Sequence, residues 1–461
     1  MLDSISLENF KSYQNTTLQL APLTMLIGAN ASGKSNAIEG LRLLSWLAQG
    51  NRLSSIQTAV QASNQLLRGR IQDLGYNKMA RFTLSCGADI ILDFPLLHLS
   101  ITLEIKDDDT LHIVDESLED WSERTSLPLY QVVEAATGMG TDLTVSYNNF
   151  AKGGHKPKLS CSDQFAIFTQ LDSPSKFLRH HEKSQKSIPQ ATEQFRNGLS
   201  RILFLDPVPA RMRDYSFKSE KTLADDGRHL SSVLFHLWGG KKPLEQLNAV
   251  ERDNRGTILR FVSSLPEQDI ETIDFLPGPR DEVMVKLVET FGGERREYDA
   301  SLLSDGTLRV LAIAAAMLSA PEEGIVVIEE IDNGVHPSRA KQLLEQIASI
   351  AERRKLRVLL SSHNPALLDA LPNSAVPNVV FCYRDPQNGS SRLIRLQDVP
   401  DYPELIAQGG VGHLMTNGVL ERFVKFHPGS EEKKKQALDW LDQLRAKTDA
   451  LLREDETEGG Q

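Results

Sequence analysis

Cysteine is scarce in this 461-residue chain: Cys86, Cys161 and Cys382 are too scattered for a disulfide framework or a Cys-x-x-Cys metal pair, and they read as reduced packing residues. Long apolar runs are missing too. Nothing approaches the roughly 18 residues of a membrane span, and the opening MLDSISLENF has neither the basic flank nor the apolar centre of a secretory signal. A cytoplasmic protein with no membrane partner is expected. Positive charge is not in excess, since the formal net charge of −11 argues against a chain that coats nucleic acid with its whole surface. Long heptad arrays are absent, which excludes an extended coiled-coil rod. What remains is ordinary globular composition, 40% hydrophobic and 25% charged, enough for one large domain or two to three smaller ones.

Charge is uneven along the chain. Between Lys152 and Glu220 there are 12 Lys and Arg against 7 Asp and Glu, concentrated in KFLRHHEKSQK at 176–186. Such a run is either a solvated face or a phosphate-contacting patch built from Lys176, Arg179, Lys183 and Lys186.

The strongest motif is GANASGKS, from Gly28 to Ser35, which fits G-x-x-x-x-G-K-[ST]. Its flanks match the requirement of the motif: LTMLI at 23–27 reads as a short buried strand, and NAIEGLRLLSWLAQG at 36–50 as a helix with Ile38, Leu41, Leu44 and Leu47 on its apolar side. Strand, glycine loop and helix together point backbone N–H groups at a phosphate. Gly28, Asn30, Gly33, Lys34, Ser35 and Asn36 are therefore the candidate nucleotide-binding residues, with Lys34 reaching the outer phosphate oxygens and the Ser35 hydroxyl on Mg²⁺.

A second cluster lies about 270 residues on. GIVVIEE is an apolar run closing on two acids, as expected of a buried parallel strand that delivers carboxylates to the sheet edge where the glycine loop also sits. Glu329 is a candidate metal carboxylate, and Glu330 a candidate general base for water. Upstream, LSDGT at 303–307 opens a helix and offers Ser304, Asp305 and Gly306 as a second anion cradle. Two cradles in one chain make sense if the second closes over nucleotide held by another copy. Downstream, RVLLSSHNP places His363 at the end of a second buried strand, as a structural histidine or as a contact to the outer phosphate or the attacking water.

The order Gly28–Ser35, Ser304–Thr307, Ile325–Glu330, His363 resembles the Walker A, signature, Walker B and switch histidine of ABC-type ATPases. ISLENFKSYQ at 5–14 looks like the first strand of SMC, RecF and OLD-like ATPases, and GANASGKSN, LSDGTLRVLA, EEIDNGVHP and SSHNPALLDAL are similar to stand-alone ABC-type AAA ATPases of bacterial anti-phage and DNA-maintenance systems. The resemblance implies ATP and Mg²⁺ as ligands, ATP hydrolysis, Ser304 and Gly306 acting on the ATP of a second copy, and a D-loop containing Asn333, Gly334 and His336. Gln72 is only a candidate for the family's metal-contacting Q-loop glutamine, set against the plainer reading of a surface glutamine. Departures are Glu329 in place of Asp, Asp305 where transporters carry Gly, and His336 where many D-loops carry Asp.

The expected fold is α/β, an ABC-type P-loop NTPase head of mixed sheet and flanking helices with an inserted antiparallel β and helical lobe. Its parts are 1–80 with Walker A, an antiparallel β subdomain at 81–150, a helical insertion at 151–280, the second ATPase half at 281–400 and a helical tail at 401–461. Residues after Pro372 contain no Asp-x-Asp, so the nuclease domain of the OLD-like relatives is not expected there, and an Asn-Gly hairpin is. The charged amphipathic segment near the C-terminus either packs on its own core or docks a partner. These features imply an ATPase that dimerises around nucleotide and controls a separate, co-encoded nuclease or toxin in anti-phage defence. The alternative is a DNA-binding repair ATPase akin to RecF.

Overall fold

A computed structural model describes residues 1–62, 66–91, 94–121, 128–136, 140–263, 269–333 and 337–426. The charged C-terminal segment, Gly334 and His336 lie outside the described residues. No helix among those described is long and apolar enough to cross a membrane.

The fold is mixed α/β, as expected, and its backbone is a fourteen-stranded sheet. Five strands form its parallel block, in the order Leu203–Leu205, Ile325–Ile328, Arg357–Ser362, Leu23–Ile27 and Val379–Arg384. Leu23–Ile27 and Ile325–Ile328 are buried at every residue, as parallel strands covered on both faces must be. Their side chains alternate between two cores. Met25, Ile27, Val326, Ile328, Val358 and Leu360 face one, where helices Asp305–Ser319 and Pro337–Arg353 pack. Leu26, Ile325, Val327 and Leu359 face the other, against helix Lys34–Ala48 and helix Glu182–Ser200. Each fully buried Leu or Ile on these faces contributes about 1.5–3 kcal/mol, so the block is the best-anchored part of the molecule.

Beyond this block, Ser391–Arg395 closes an antiparallel hairpin on Val379–Arg384 with Asn388 and Gly389 in its turn, Tyr13–Gln19 joins Ser391–Arg395 by a short parallel bridge at Ser391 and Tyr13, and Leu2–Phe10 pairs antiparallel with Tyr13–Gln19. Arg81–Ile91 then pairs directly with Leu2–Phe10, so the antiparallel strands of 81–162 extend the same sheet. A smaller four-stranded sheet holds Ser216–Phe217, Ile270–Pro277, Glu282–Phe291 and Glu294–Asp299. Strands Lys158–Ser162 and Ile270–Pro277 therefore interrupt a stretch whose pattern reads as mostly helical. In the second, alternation in IETIDFLP buries Ile273 and Phe275 on one face.

Candidate nucleotide-binding site

Strand Leu23–Ile27 runs into the glycine loop, and the loop is shaped by what presses on it from behind. Gly28 (φ 151°) and Gly33 (φ 121°) take backbone angles that side chains disfavour. Space forbids a side chain as well: a Cβ on Gly28 would lie 2.2 Å from the Cys382 carbonyl oxygen, and one on Gly33 would lie 2.4 Å from Ser391 Oγ. The hairpin of Val379–Arg395 thus backs the loop, and it also supplies donors to the loop's carbonyls. Arg384 Nε donates to the Ala31 oxygen (3.2 Å), Ser391 Oγ (2.5 Å) and Cys382 Sγ (3.3 Å) donate to that of Ser32, and Tyr13 OH donates to that of Gly33 (3.0 Å). With the carbonyls of Ala31, Ser32 and Gly33 engaged from behind, the loop is suited to hold an anion at the cleft, where the first turn of helix Lys34–Ala48 adds its own N–H groups and positive dipole end. That is an anion cradle.

Lys34 Nζ donates to the carbonyls of Gly28 (2.6 Å) and Ala29 (3.1 Å), folded back on its own loop. Burial lowers its pKa, opposed by nearby Cys382, Asp332 and Glu330. Ser35 and Asn36 line the same cleft of about 760 Å³. Asn36 Nδ2 donates to Ser12 Oγ at 2.7 Å, tying the helix start to the turn after the first strand.

Across the cleft stand the acids. Glu329, whose side chain is 15% exposed, accepts from Arg42 Nη2 at 3.2 Å; Arg42, on the helix of the glycine loop, also pairs with Asp225 and lies 4.4 Å over the Phe204 ring. Burial raises the Glu329 pKa, against the pull of Arg42. Glu330 has a left-handed backbone (φ 48°), a strained conformation for a non-glycine residue that is typical of functional sites. Two contacts hold it: its N–H donates to Ser361 Oγ (3.1 Å), and Asn333 Nδ2 donates to its Oε2 (2.5 Å). Ser361 and His363 end the neighbouring strand, and His363 Nδ1 lies 3.4 Å from Asp332 Oδ2. Asp332 is 5% exposed at its side chain, and its other oxygen has no hydrogen-bond partner among the described residues.

One cleft therefore brings together Asn30, Gly33, Lys34, Ser35, Asn36, Glu329, Glu330 and His363. Gly28 lies beneath it, and Asn333 reaches it through Glu330. Ser304, Asp305 and Gly306 do not line it. Ser304 caps helix Asp305–Ser319 by accepting from the Thr307 N–H (3.1 Å), and Ser304 and Asp305 are exposed. Gln72 is absent from the lining also; its amide donates to Asp109 Oδ2 at 2.6 Å on the protein surface. Lys176, Arg179, Lys183 and Lys186 are exposed outside the cleft, with Lys183 Nζ 4.4 Å over the Phe150 ring.

Several residues to which the motifs gave no role also line or border the cleft. Lys11, Ser12, Arg68, Tyr76 and Asn388 line the cleft, and the buried Glu39 pairs with both Lys11 and Arg68. Asp206 ends the edge strand Leu203–Leu205 as Glu329 ends its neighbour, and burial followed by the charge of Glu330 raises its pKa. The LFLDP pattern, an apolar strand closing on an acid, was the available clue.

Among the described residues no group of three or more His, Cys, Asp and Glu is arranged to hold a metal. A hydroxyl and a few carboxylates beside an anion cradle fit instead a hard cation that arrives with phosphate oxygens and water.

Residues 1–193 match the family model described as AAA ATPase domain, and residues 174–369 the one described as AAA domain, putative AbiEii toxin, Type IV TA system. The chain is 22% identical over 384 residues to the Old nuclease of Escherichia phage P2, covering 80% of this chain and 57% of that protein. It thus spans just over half the length of that curated relative. Among solved structures it overlaps an Smc head bound to the C-terminal winged-helix domain of ScpA (TM-score 0.45, 13% identity, 85% of this chain and 97% of that one). It also overlaps the SMC head domain from Thermotoga maritima (TM-score 0.39, 12% identity, 86% and 98%).

Proposed function

We propose that this chain, which matches AAA ATPase family models and is similar to the Old nuclease, is an ABC-type ATPase that binds and hydrolyses ATP between two copies of itself, and that closure of the pair controls a separate effector. The observation that carries this reading is the division of the site. Cradle, Lys34, both acids and His363 share one cleft, while the Ser304–Gly306 loop, a second N–H-rich helix start, faces solvent outside it. A second copy can bring its loop to the open mouth of the first, and the exchange is reciprocal.

Within the cleft each group has a task. The loop amides and Lys34 hold the phosphates, for which Lys34 must exchange the Gly28 and Ala29 carbonyls for phosphate oxygens. Glu330, held by Asn333 and Ser361, accepts the proton of the attacking water. Asp332 fixes the His363 ring through Nδ1, which leaves Nε2 for the outer phosphate or the water. Ser35 and Glu329 would hold Mg²⁺, whose charge offsets that developing on the phosphate oxygens. The toxin-system and nuclease descriptions of the relatives support effector control in anti-phage defence.

A DNA-maintenance role is the second reading, and the exposure of Lys176, Arg179, Lys183 and Lys186 on the lobe favours it. Duplex affinity that falls steeply with salt, with a slope reduced on neutralising those four, would support it. For the main reading, ATP turnover is measured for wild type, Lys34→Ala and Glu330→Gln. Wild-type turnover with loss in both variants is expected; equal rates in all three, with and without candidate effector or DNA, would reject hydrolysis at this site.

A further inference from the structure

The Ser304–Gly306 loop takes its shape from a residue outside it. Arg213, which follows the short helix Pro209–Met212, reaches the loop from one side. Its Nη1 donates to the carbonyls of Leu303 (2.6 Å), Ser301 (3.1 Å) and Ala300 (3.4 Å), and its Nη2 to Asp305 Oδ1 (2.5 Å). One planar cation thereby gathers four acceptors from within the six-residue span 300–305, a task for which the fixed fork of a guanidinium is suited and a lysine is not. The Arg213–Asp305 pair is exposed, 29% and 66% at the side chains, so its direct contribution to stability is small. The geometric consequence is larger. With those carbonyls turned toward Arg213, the Asp305 and Gly306 N–H groups at the helix start have no partner among the described residues, whereas those of Ser301 and Leu302 are bonded to Asp299 and that of Thr307 to Ser304. The acid at Asp305, which would repel a phosphate if unpaired, has its charge balanced by the same guanidinium.

The other end of the Arg213 segment is fastened to the nucleotide cleft. Leu203–Leu205 lies beside Ile325–Ile328, and the Leu205 carbonyl accepts the Glu329 N–H at 2.9 Å. The Asp206 and Val208 N–H groups donate to the carbonyls of Asp225 (2.8 Å) and Asp226 (2.9 Å), and Asp225 is the second acid on Arg42, the partner of Glu329. One short stretch thus runs from the carboxylate end of a chain's own cleft to the loop it offers outward. Exposed apolar side chains accompany it: Val208 on the stretch, Tyr215 just after it, and Leu302, 69% exposed, two residues before the loop. Leu302 beside an N–H-rich loop end suits a protein surface that carries a bound phosphate, which is what a second nucleotide-loaded copy presents.

We propose that Arg213 is the positioning residue of the Ser304–Gly306 loop, and that residues 203–213 link the acids of a chain's own cleft to the loop that completes the site of a second copy. This rests on the two-copy reading above. Arg213 does not line its own cleft, so it acts on the reaction only through the loop.

The test uses the full chain carrying Glu330→Gln, which holds ATP unhydrolysed. Self-association with Mg²⁺ and ATP is measured by sedimentation, and ATP affinity by titration with a fluorescent ATP analogue. Adding Arg213→Ala should weaken ATP-dependent association by about tenfold or more, the effect of losing one to two charge-assisted hydrogen bonds' worth of positioning. Affinity for the analogue below the association threshold should not change. Arg213→Lys, with the charge but not the fork, should recover only part of the association, and in the Glu330 background Arg213→Ala should lower kcat at unchanged KM. Should Arg213→Ala lower the unfolding midpoint, Arg213→Gln, which retains a donor for the carbonyls, takes its place. Association of the Arg213 variants as tight as that of the Glu330→Gln parent would overturn the assignment alone; a parent that never associates with ATP would overturn the two-copy reading and this inference with it.

Discussion

Replacing Arg42 with Ala would remove the single cation between Glu329 and Asp225, and the cost follows from the burial of each partner. Glu329 is nearly covered, and stripping a buried carboxylate of its counter-charge costs about 3–5 kcal/mol. The Asp225 contact, at a side chain 37% exposed, is screened and adds about 0–1 kcal/mol. Lost stacking over Phe204 adds about 0.5–2 kcal/mol. Glu329 has an escape, which is to take up a proton, and burial already raises its pKa in the intact protein. A carboxyl with a folded pKa above its unfolded value of about 4.3 stabilises most below that value and loses the contribution as pH rises through the folded pKa. Without Arg42 that window widens upward. The penalty of Arg42→Ala should therefore fall near pH 5 toward the stacking and Asp225 contributions alone, about 0.5–3 kcal/mol, and rise near pH 8 by up to the further cost of about 3 kcal/mol or more for the uncompensated Glu329 carboxylate. Urea unfolding at the two pH values measures it. Glu329→Gln added to Arg42→Ala should restore part of the loss at the higher pH, because a neutral amide needs no cation. An equal penalty at both pH values, or no relief from the second substitution, would refute the reasoning.

Other substitutions probe neighbouring parts of the account. Glu330→Gln should lower ATP turnover by about 10²–10⁴-fold while ATP binding persists, measured as phosphate release beside nucleotide titration. Lys34→Ala should instead weaken ATP binding, by about 1.5–3 kcal/mol for a hydrogen bond to a charged group, which equilibrium dialysis reads directly. Gly28→Ala should abolish ATP binding and lower the unfolding midpoint, since its Cβ meets the backbone oxygen of Cys382 at 2.2 Å; normal affinity in a folded variant would show that the hairpin does not brace the loop. Glu116, buried in the β lobe, has its pKa pushed up to about 7 by burial, against the donors Tyr130 OH and the N–H groups of Ile167 and Phe168. Its folded-state pKa lies above the unfolded value, so its contribution is full below about pH 4.3 and fades as pH rises through about 7; Glu116→Gln should flatten that part of the stability profile.

The candidate residues that share the cleft were legible where the pattern is local. Leu23–Ile27, the glycine loop and the following helix are contiguous, and the apolar run that ends in Glu329 and Glu330 announces a buried strand by composition alone. What could not be read is what those residues lean on. Arg42 meets Glu329 from 287 positions away, and Tyr13 and Cys382, 369 positions apart, share the space behind the loop. No periodicity encodes such meetings; they follow from strand order in the sheet. The join of Arg81–Ile91 to Leu2–Phe10 is invisible for the same reason, because an antiparallel strand pattern says nothing about its neighbour. Gln72, weighed against a plain surface glutamine, is placed on the surface beside Asp109.

The central claim is that the site is completed by a second copy, and light scattering on Glu330→Gln tests it most directly. The account predicts about twice the mass of the nucleotide-free form when Mg²⁺ and ATP are added, and no such increase when Ser304→Arg is also present, since an arginine there would block the loop's N–H groups. An ATP-saturated Glu330→Gln protein that keeps its nucleotide-free mass, or an ATP-driven increase indifferent to Ser304→Arg, would contradict it.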